Sequence, residues 1–137
     1  MDNKDPVWPI QVAIFQALSN DQQLSADVTG VFDHVPDSTA FPYVTTGEVT
    51  TTPSGAHDRF GARSTITLHG WSTYNGKKEI SEIANHLLRI LDHKPLQVDG
   101  FHAVYVHHEQ TVTMTERGND IRHVAVRFAI ETELIPN

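Results

Sequence analysis

The chain has 137 residues, of which 39% are apolar and 20% charged, and this length and composition are typical of one globular domain with a substantial core. The absence of cysteine excludes disulfides and thiolate metal sites. A net charge of −7 repels duplex phosphates and argues against nucleic-acid recognition, although DNA could still pass through a pore made of such subunits. We expect a single soluble domain over residues 1–137 with no signal peptide and no membrane partner.

The N-terminal part predicts a helix from about Pro9 to Ser19, where apolar residues recur at helical spacing after two prolines that suit a helix start. A turn at Gly30 and a short extended segment follow. A loop from Pro36 to Pro42 then leads into the Val- and Thr-rich segment Tyr43–Thr52, which predicts a strand.

The clearest break in the chain, from Pro53 to Asp58, is polar and glycine-containing and predicts a projecting loop. The segment Phe60–Trp71 alternates with period two and predicts a strand with one buried face. Residues predicted to share one face are Phe60, Ala62, Ile66 and Leu68, and those on the other face are Arg63, Thr65, Thr67 and His69.

A continuous apolar stripe predicts a second helix from about Gly76 to Asp92. The segments Gly100–Glu116 and Ile121–Leu134 then predict a hairpin. In its last strand, Val124, Val126, Phe128 and Ile130 are expected to point inward, and His123, Arg127, Glu131 and Glu133 outward. This order predicts an α+β fold, a mostly antiparallel sheet of about four to five strands with two helices packed on one face.

Nine histidines raise the question of a metal site, which needs two to four ligands that converge on one point. Adjacent His107 and His108 face opposite sides of a strand, and two helical turns, roughly 10 Å, separate His86 from His93. We therefore interpret the histidines as surface or partly buried residues and predict no metal ligand. A cross-strand pair of His107 with His123 stays open.

Other chemistry is weakly indicated. The carboxylates of the last hairpin are expected on the solvent face, and Asp33, His34 and Ser38 lack the sequence context of a nucleophilic triad. No glycine-rich phosphate-binding motif is present. Trp8 and Trp71 either close the ends of the core or act as interface anchors. We predict no catalytic residue and no cofactor.

Several short motifs occur in a recognisable order along the chain. They are Val31-Phe32-Asp33-His34-Val35-Pro36, then Phe41-Pro42-Tyr43-Val44, Gly47-Glu48, His69-Gly70-Trp71-Ser72, and the helix through Ile83, Leu87 and Leu91. In this order, from about Ile10 to Leu134, the sequence resembles the tail-completion family of long-tailed phages, also called tail terminators or head–tail joining proteins.

The resemblance implies a structural role without enzymatic activity, in a hexameric ring that caps the tail tube and docks it to the head. The implied partners are further copies of the chain, the tail tube protein and the head-completion or connector protein, with DNA passing through unrecognised. The implied location is the head-proximal end of the tail in the virion, after assembly in the host cytoplasm.

A flexible loop can become ordered on binding, so we expect the loop between the second and third strands to make ring or tube contacts. Its residues are Thr52, Pro53, Ser54, Gly55, Ala56, His57, Asp58 and Arg59. Two other functions stay open at this point: a metal-dependent enzyme that uses the histidines, and a small ligand-binding or chaperone-like α+β module.

Overall fold

The computed structural model describes residues 2–55, 59–116 and 120–136. Along the chain it contains two N-terminal helices, three strands, a long helix and a final hairpin. These elements are α1 Val7–Ser19, α2 Gln22–Asp27, β1 Val31–Phe32, β2 Tyr43–Pro53, β3 Gly61–Ser72, α3 Lys78–Leu91, β4 Phe101–Thr115 and β5 Arg122–Leu134.

The strands form one sheet in the order β1-β2-β3-β5-β4. The short β1 lies parallel to β2, and the other neighbours are antiparallel, so the α+β fold is confirmed with a sheet that is mixed. Both long helices pack on one face of the sheet, α1 over β2 and α3 over β3, β5 and β4. We call the opposite face the helix-free face.

The short helix α2 is the element that the sequence analysis missed, because six residues give too little periodicity to reveal a helix. Asp21 caps it, with a carboxylate oxygen that accepts a hydrogen bond from the Leu24 amide at 2.9 Å. Leu24 is fully buried and joins the core. Asp21 also accepts two hydrogen bonds from the guanidinium of Arg89, which ties α2 to α3.

The core lies between the helices and the sheet, as the alternation predicted. On β3 and β5 the even-numbered residues face the helices, and Ile66, Leu68, Val126, Phe128 and Ile130 are fully buried. The stripe of α3 meets them with Ile80, Ile83, Ala84, Leu87 and Leu91.

Two of the predicted side-chain placements are wrong. Phe60 was expected with the buried residues of its strand, but β3 begins one residue later and 36% of Phe60 is exposed. His123 was expected in solvent, yet it is only 7% exposed. It does lie on the helix-free face, where the rings of Trp71 and His69 cover it.

A bulge interrupts the pairing of β2 with β3 between Thr46 and Val49, and Gly47 lies within it. A Cβ atom at this position would lie 2.5 Å from the carbonyl oxygen of Thr67 and 2.8 Å from the His69 ring. Only glycine allows the backbones to approach so closely.

Candidate assembly surfaces

The helix-free face carries polar and charged side chains that bind one another across the strands. Glu109 of β4 contacts Arg63 of β3 and Arg127 of β5, with 3.2 Å between Arg127 Nε and Glu109 Oε1. Arg63 also lies 3.9 Å from Glu131. These ion pairs neutralise one another at the surface of the sheet, where each side chain keeps some exposure to solvent.

An aromatic cluster lies at one end of this face. The indole of Trp71 is almost parallel to the His123 ring, with centroids 3.8 Å apart, and its N–H donates to Thr45 Oγ1 at 3.0 Å. His123 Nε2 lies 2.6 Å from His69 Nδ1, and its other nitrogen lies 3.2 Å from Glu116. Trp71 therefore packs on the helix-free face at one end of the sheet. The cross-strand pair of His107 with His123, which the sequence left open, is not formed, because His107 lies opposite Ala129.

The described residues contain no group of three or more histidine, aspartate or glutamate side chains that could hold a metal ion. Two other histidines bind local partners. His86 Nε2 lies 2.7 Å from Asp27, and His108 Nε2 lies 2.7 Å from Thr111 Oγ1.

The outer side of α1 carries an apolar stripe that faces away from the core. Trp8, Val12 and Phe15 follow one another at spacings of four and three residues, with Trp8 67% and Phe15 41% exposed. Together with Asp33 and Thr46 they line a largely apolar groove of about 360 Å³. The interpretation of Trp8 as a residue that closes the core is therefore wrong.

The amino-acid composition of α1 already indicated that its outer side is apolar as well as its buried side. Its polar side chains are limited to Gln11, Gln16 and Ser19, and a helix that is apolar on nearly all sides is normally buried on nearly all sides. The buried face of α1, formed by Ile10, Ala13, Ile14 and Leu18, accounts for only part of these apolar residues.

Both edges of the sheet leave strand backbone without a neighbour in the described part of the chain. At one edge β4 is the outermost strand, where Asp92 and His93 bind its outer side at His108 and Val106 and leave the stretch from Gln110 to Thr115 open. At the other edge β1 covers only Val44 and Thr45 of β2, so the rest of β2 has β3 as its one strand neighbour.

The predicted loop between β2 and β3 lies at one end of the sheet. Thr52 and Pro53 complete β2, and the Ser54 amide donates to the Gly61 carbonyl at 2.9 Å. Ser54 and Gly55 are exposed, and Arg59 lies 3.4 Å from Glu133. The other three loop positions, Ala56, His57 and Asp58, lie outside the described residues.

Residues 12–133 match the family described as Tail completion protein gp17, which is nearly the whole of the folded domain. The chain belongs to this tail-completion family. The resemblance seen in the sequence motifs is thereby confirmed, and the role is that of a structural protein of the phage tail, which is not an enzyme class.

One similar protein is the Tail completion protein gp17 of Bacillus phage SPP1. It is 28% identical to this tail-completion protein over 123 residues, which span 88% of this chain and 91% of the relative. A similar solved structure comes from the virion of a native gene transfer agent (GTA) particle. It superposes with a TM-score of 0.85 at 22% identity and covers 90% of this chain and 94% of the other, which shows a shared fold.

For a structural tail protein, the surfaces matter more than any single reactive group. The candidate surfaces are the α1 stripe, the two open sheet edges and the β2–β3 loop. Neither the comparisons nor the described residues support the metal-dependent enzyme or the ligand-binding module. No helix within the described ranges is both long and apolar enough to cross a membrane.

Proposed function

We propose that this tail-completion protein assembles as a hexameric ring that closes the head-proximal end of the tail and joins it to the head connector. Assembly takes place in the host cytoplasm, and the ring then stays in the virion. The observation that carries the proposal is the pair of open sheet edges on opposite sides of one subunit. A subunit with two different contact surfaces on opposite sides can bind copies of itself head to tail, and such contacts close into a six-membered ring when each neighbour is rotated by one sixth of a turn.

The apolar residues on the surface support assembly. Trp8 and Phe15 lie beside one edge, and Tyr105, Val112 and Met114 lie on the strand at the other edge, each more than a third exposed. Exposed aromatic and aliphatic side chains near unpaired strand edges favour association. In a closed ring every subunit is held by two neighbours, so individually modest contacts give a stable assembly.

The charge of the chain fits a ring through which DNA moves without being held. Each subunit carries a net charge of −7 with neutral histidines, so a six-membered ring strongly repels phosphate groups. Tight DNA binding requires that cationic side chains displace the counterions of the phosphates, and this composition does not supply them. DNA is therefore a passing partner and is not recognised by sequence.

The ring is tested by mass measurement of the purified protein over a wide range of concentrations, together with electron microscopy of assembled tails. We expect a species of six times 15.3 kDa, or a six-fold ring at the head-proximal end of tails if the free subunit is monomeric. A subunit that is monomeric or dimeric in solution and that forms no ring on tails contradicts the proposal.

The loop Thr52–Arg59 makes contacts outside the subunit, with the tail tube or the connector. Its described residues are exposed, and Ser54, Gly55 and Arg59 lie beyond the last pair of β2 with β3, Pro53 with Ala62. Deletion of residues 53–58 should leave a folded protein, because it removes only the last β2–β3 pair, Pro53 with Ala62, and keeps the pairs from Tyr43 to Thr52. It should abolish the joining of tails to heads.

Circular dichroism checks the fold of the deletion variant, and the titre of infectious particles checks joining. A variant that replaces the same six residues with glycine and serine keeps the loop length and separates the effect of length from that of side-chain contacts. Wild-type titres with the deletion variant contradict a role for the loop.

A further inference from the structure

Over its second half, from Gln110 to Thr115, β4 lacks the features that usually protect an edge strand. Its 15 residues contain no lysine, arginine or proline, and the segment from Gln110 to Thr115 has no charge. Natural edge strands are normally protected by such residues or by bulges, and the bulges of β4 lie before this segment. The backbone from Gln110 to Thr115 is therefore available to pair with another strand, whereas Asp92 and His93 already bind the outer side of β4 at His108 and Val106.

The opposite edge presents a second free stretch of strand. Beyond Thr45, β2 continues to Pro53 without a strand on its outer side among the described residues. The gap left by the short β1 is partly filled by Asp33, which accepts hydrogen bonds from Gln11 at 2.9 Å and from Thr46 at 3.3 Å. The apolar stripe of α1 lies directly beside this gap.

We propose that the occupant of both edges is a second copy of the chain: β4 of one subunit pairs with the outer edge of β2 of the next. This inference rests on the proposed ring and names its interface. The neighbour's edge would also cover the stripe formed by Trp8, Val12 and Phe15, which accounts for the apolar outer side of α1.

The strand directions agree with this pairing. Because β2, β3, β5 and β4 alternate in direction, β4 runs opposite to β2 within one subunit. Rotation about a ring axis roughly parallel to the strands preserves their directions, so β4 meets the β2 strand of the next copy antiparallel. Antiparallel pairing is slightly more stable per residue than parallel pairing.

The competing arrangement pairs two β4 edges across a two-fold axis. Such a contact uses the same surface on both subunits and closes at a dimer, with the β2 edge and the α1 stripe still uncovered. Pairing of β4 with β2 uses both open edges of every subunit and leaves no free edge in a closed ring. Pairing of β4 with β2 therefore accounts for both edges and for the exposed aromatic residues.

Cysteine cross-linking tests the interface, since the chain has no cysteine of its own. Thr50→Cys on β2 is combined in turn with Tyr105→Cys, His107→Cys, Gln110→Cys, Val112→Cys or Met114→Cys on β4. All these positions lie on the helix-free face, and the series spans the possible registers. A disulfide forms only where two Cα atoms approach to about 7 Å or less.

After oxidation of assembled particles, we expect one or two of the double variants to give a ladder of covalent oligomers up to six subunits on a non-reducing gel. Single variants should give no ladder. In the matched control, Thr65→Cys replaces Thr50→Cys and is combined with the same β4 cysteines. Thr65 lies on the central strand β3, directly opposite Thr50, so the control should give no cross-link.

Covalent dimers from the single β4 variants show that two β4 edges meet and overturn the inference. Rings that form normally without a cross-link in any double variant also overturn it, while the proposed function stands. An absence of both rings and cross-links contradicts the proposed function and the inference together.

Discussion

At the scale of single residues, the most constrained group is the pair His69 and His123. Their facing nitrogens are 2.6 Å apart, so they share one proton and cannot both be charged without repulsion. Burial lowers the pKa of both imidazoles from the usual 6.5, and the charge of His123 lowers that of His69 further. Glu116, beside His123, and Glu48, near His69, act in the opposite direction and only partly offset the effect of burial.

These lowered pKa values predict a loss of stability in mild acid. Near pH 6.5 the unfolded chain binds more protons than the folded protein, so the free energy of unfolding should fall as the pH drops below 6.5 and through the folded pKa values. Urea denaturation between pH 7.5 and 5 measures this slope. His123→Asn should flatten it, whereas His102→Asn, at an exposed position of the same face, should leave it unchanged. Equal slopes in the wild type and the His123 variant contradict the assignment of this pH dependence to the histidine pair.

At the scale of elements, α3 is the helix that packs across three neighbouring strands of the sheet, β3, β5 and the edge strand β4. Its apolar stripe was evident from the sequence, and the observed helix Lys78–Leu91 agrees with the predicted one within two residues at each end. The stripe packs on β3, β5 and β4. At Gly70, a Cβ atom would lie 2.8 Å from Ile83, so the helix approaches the sheet closely at this point.

Two neighbouring leucines of α3 provide a matched test of this packing. Leu87 is fully buried, so Leu87→Ala should lower the free energy of unfolding by about 2–5 kcal/mol through lost burial and a residual cavity. Leu88 is only partly buried, and Leu88→Ala should cost clearly less. Urea denaturation monitored by circular dichroism measures both. Equal losses for the two variants would mean that the helix face is wrongly placed.

At the scale of the whole molecule, five of the large exposed apolar side chains lie where the proposed ring would cover them. Trp8 and Phe15 lie beside one edge of the sheet, and Tyr105, Val112 and Met114 lie on the other edge strand. For a free monomer this arrangement favours aggregation. In a tail-completion protein the same surfaces are available for contacts with neighbouring subunits.

Trp8→Ser should therefore weaken assembly and leave the subunit stable. Because 67% of Trp8 is exposed, the free energy of unfolding of the monomer should change by no more than about 0.5 kcal/mol. If Trp8 anchors the interface, its loss should weaken each subunit contact by about 2 kcal/mol, roughly 30-fold in dissociation constant.

Mass measurement over a concentration series detects this shift. Tyr74→Ser removes another exposed aromatic residue, 50% exposed, from a loop away from both sheet edges and should leave assembly unchanged. Equal behaviour of the Trp8 and Tyr74 variants would exclude Trp8 as an interface anchor.

The sequence by itself determined the two long helices, the four long strands and the inward face of β5. Each depends on hydrophobic periodicity within one segment, and burial of that segment on one face is enough to stabilise it. The order of the motifs was also enough to indicate the family. Local pattern could not reveal α2, whose six residues are stabilised by Asp21 and by Arg89 from a distant helix.

Tertiary structure alone decided the strand order, the parallel pairing of β1, the contact of His69 with His123 and the exposure of Trp8. The two histidines are 54 residues apart, and only the pairing of β3 with β5 brings them together. Trp8 and Ile10 are both apolar residues of one helix, and no local signal tells which of them faces the sheet. Such features depend on which segments meet in space, and that follows from packing of the whole chain because distant segments compete to cover the same apolar surface.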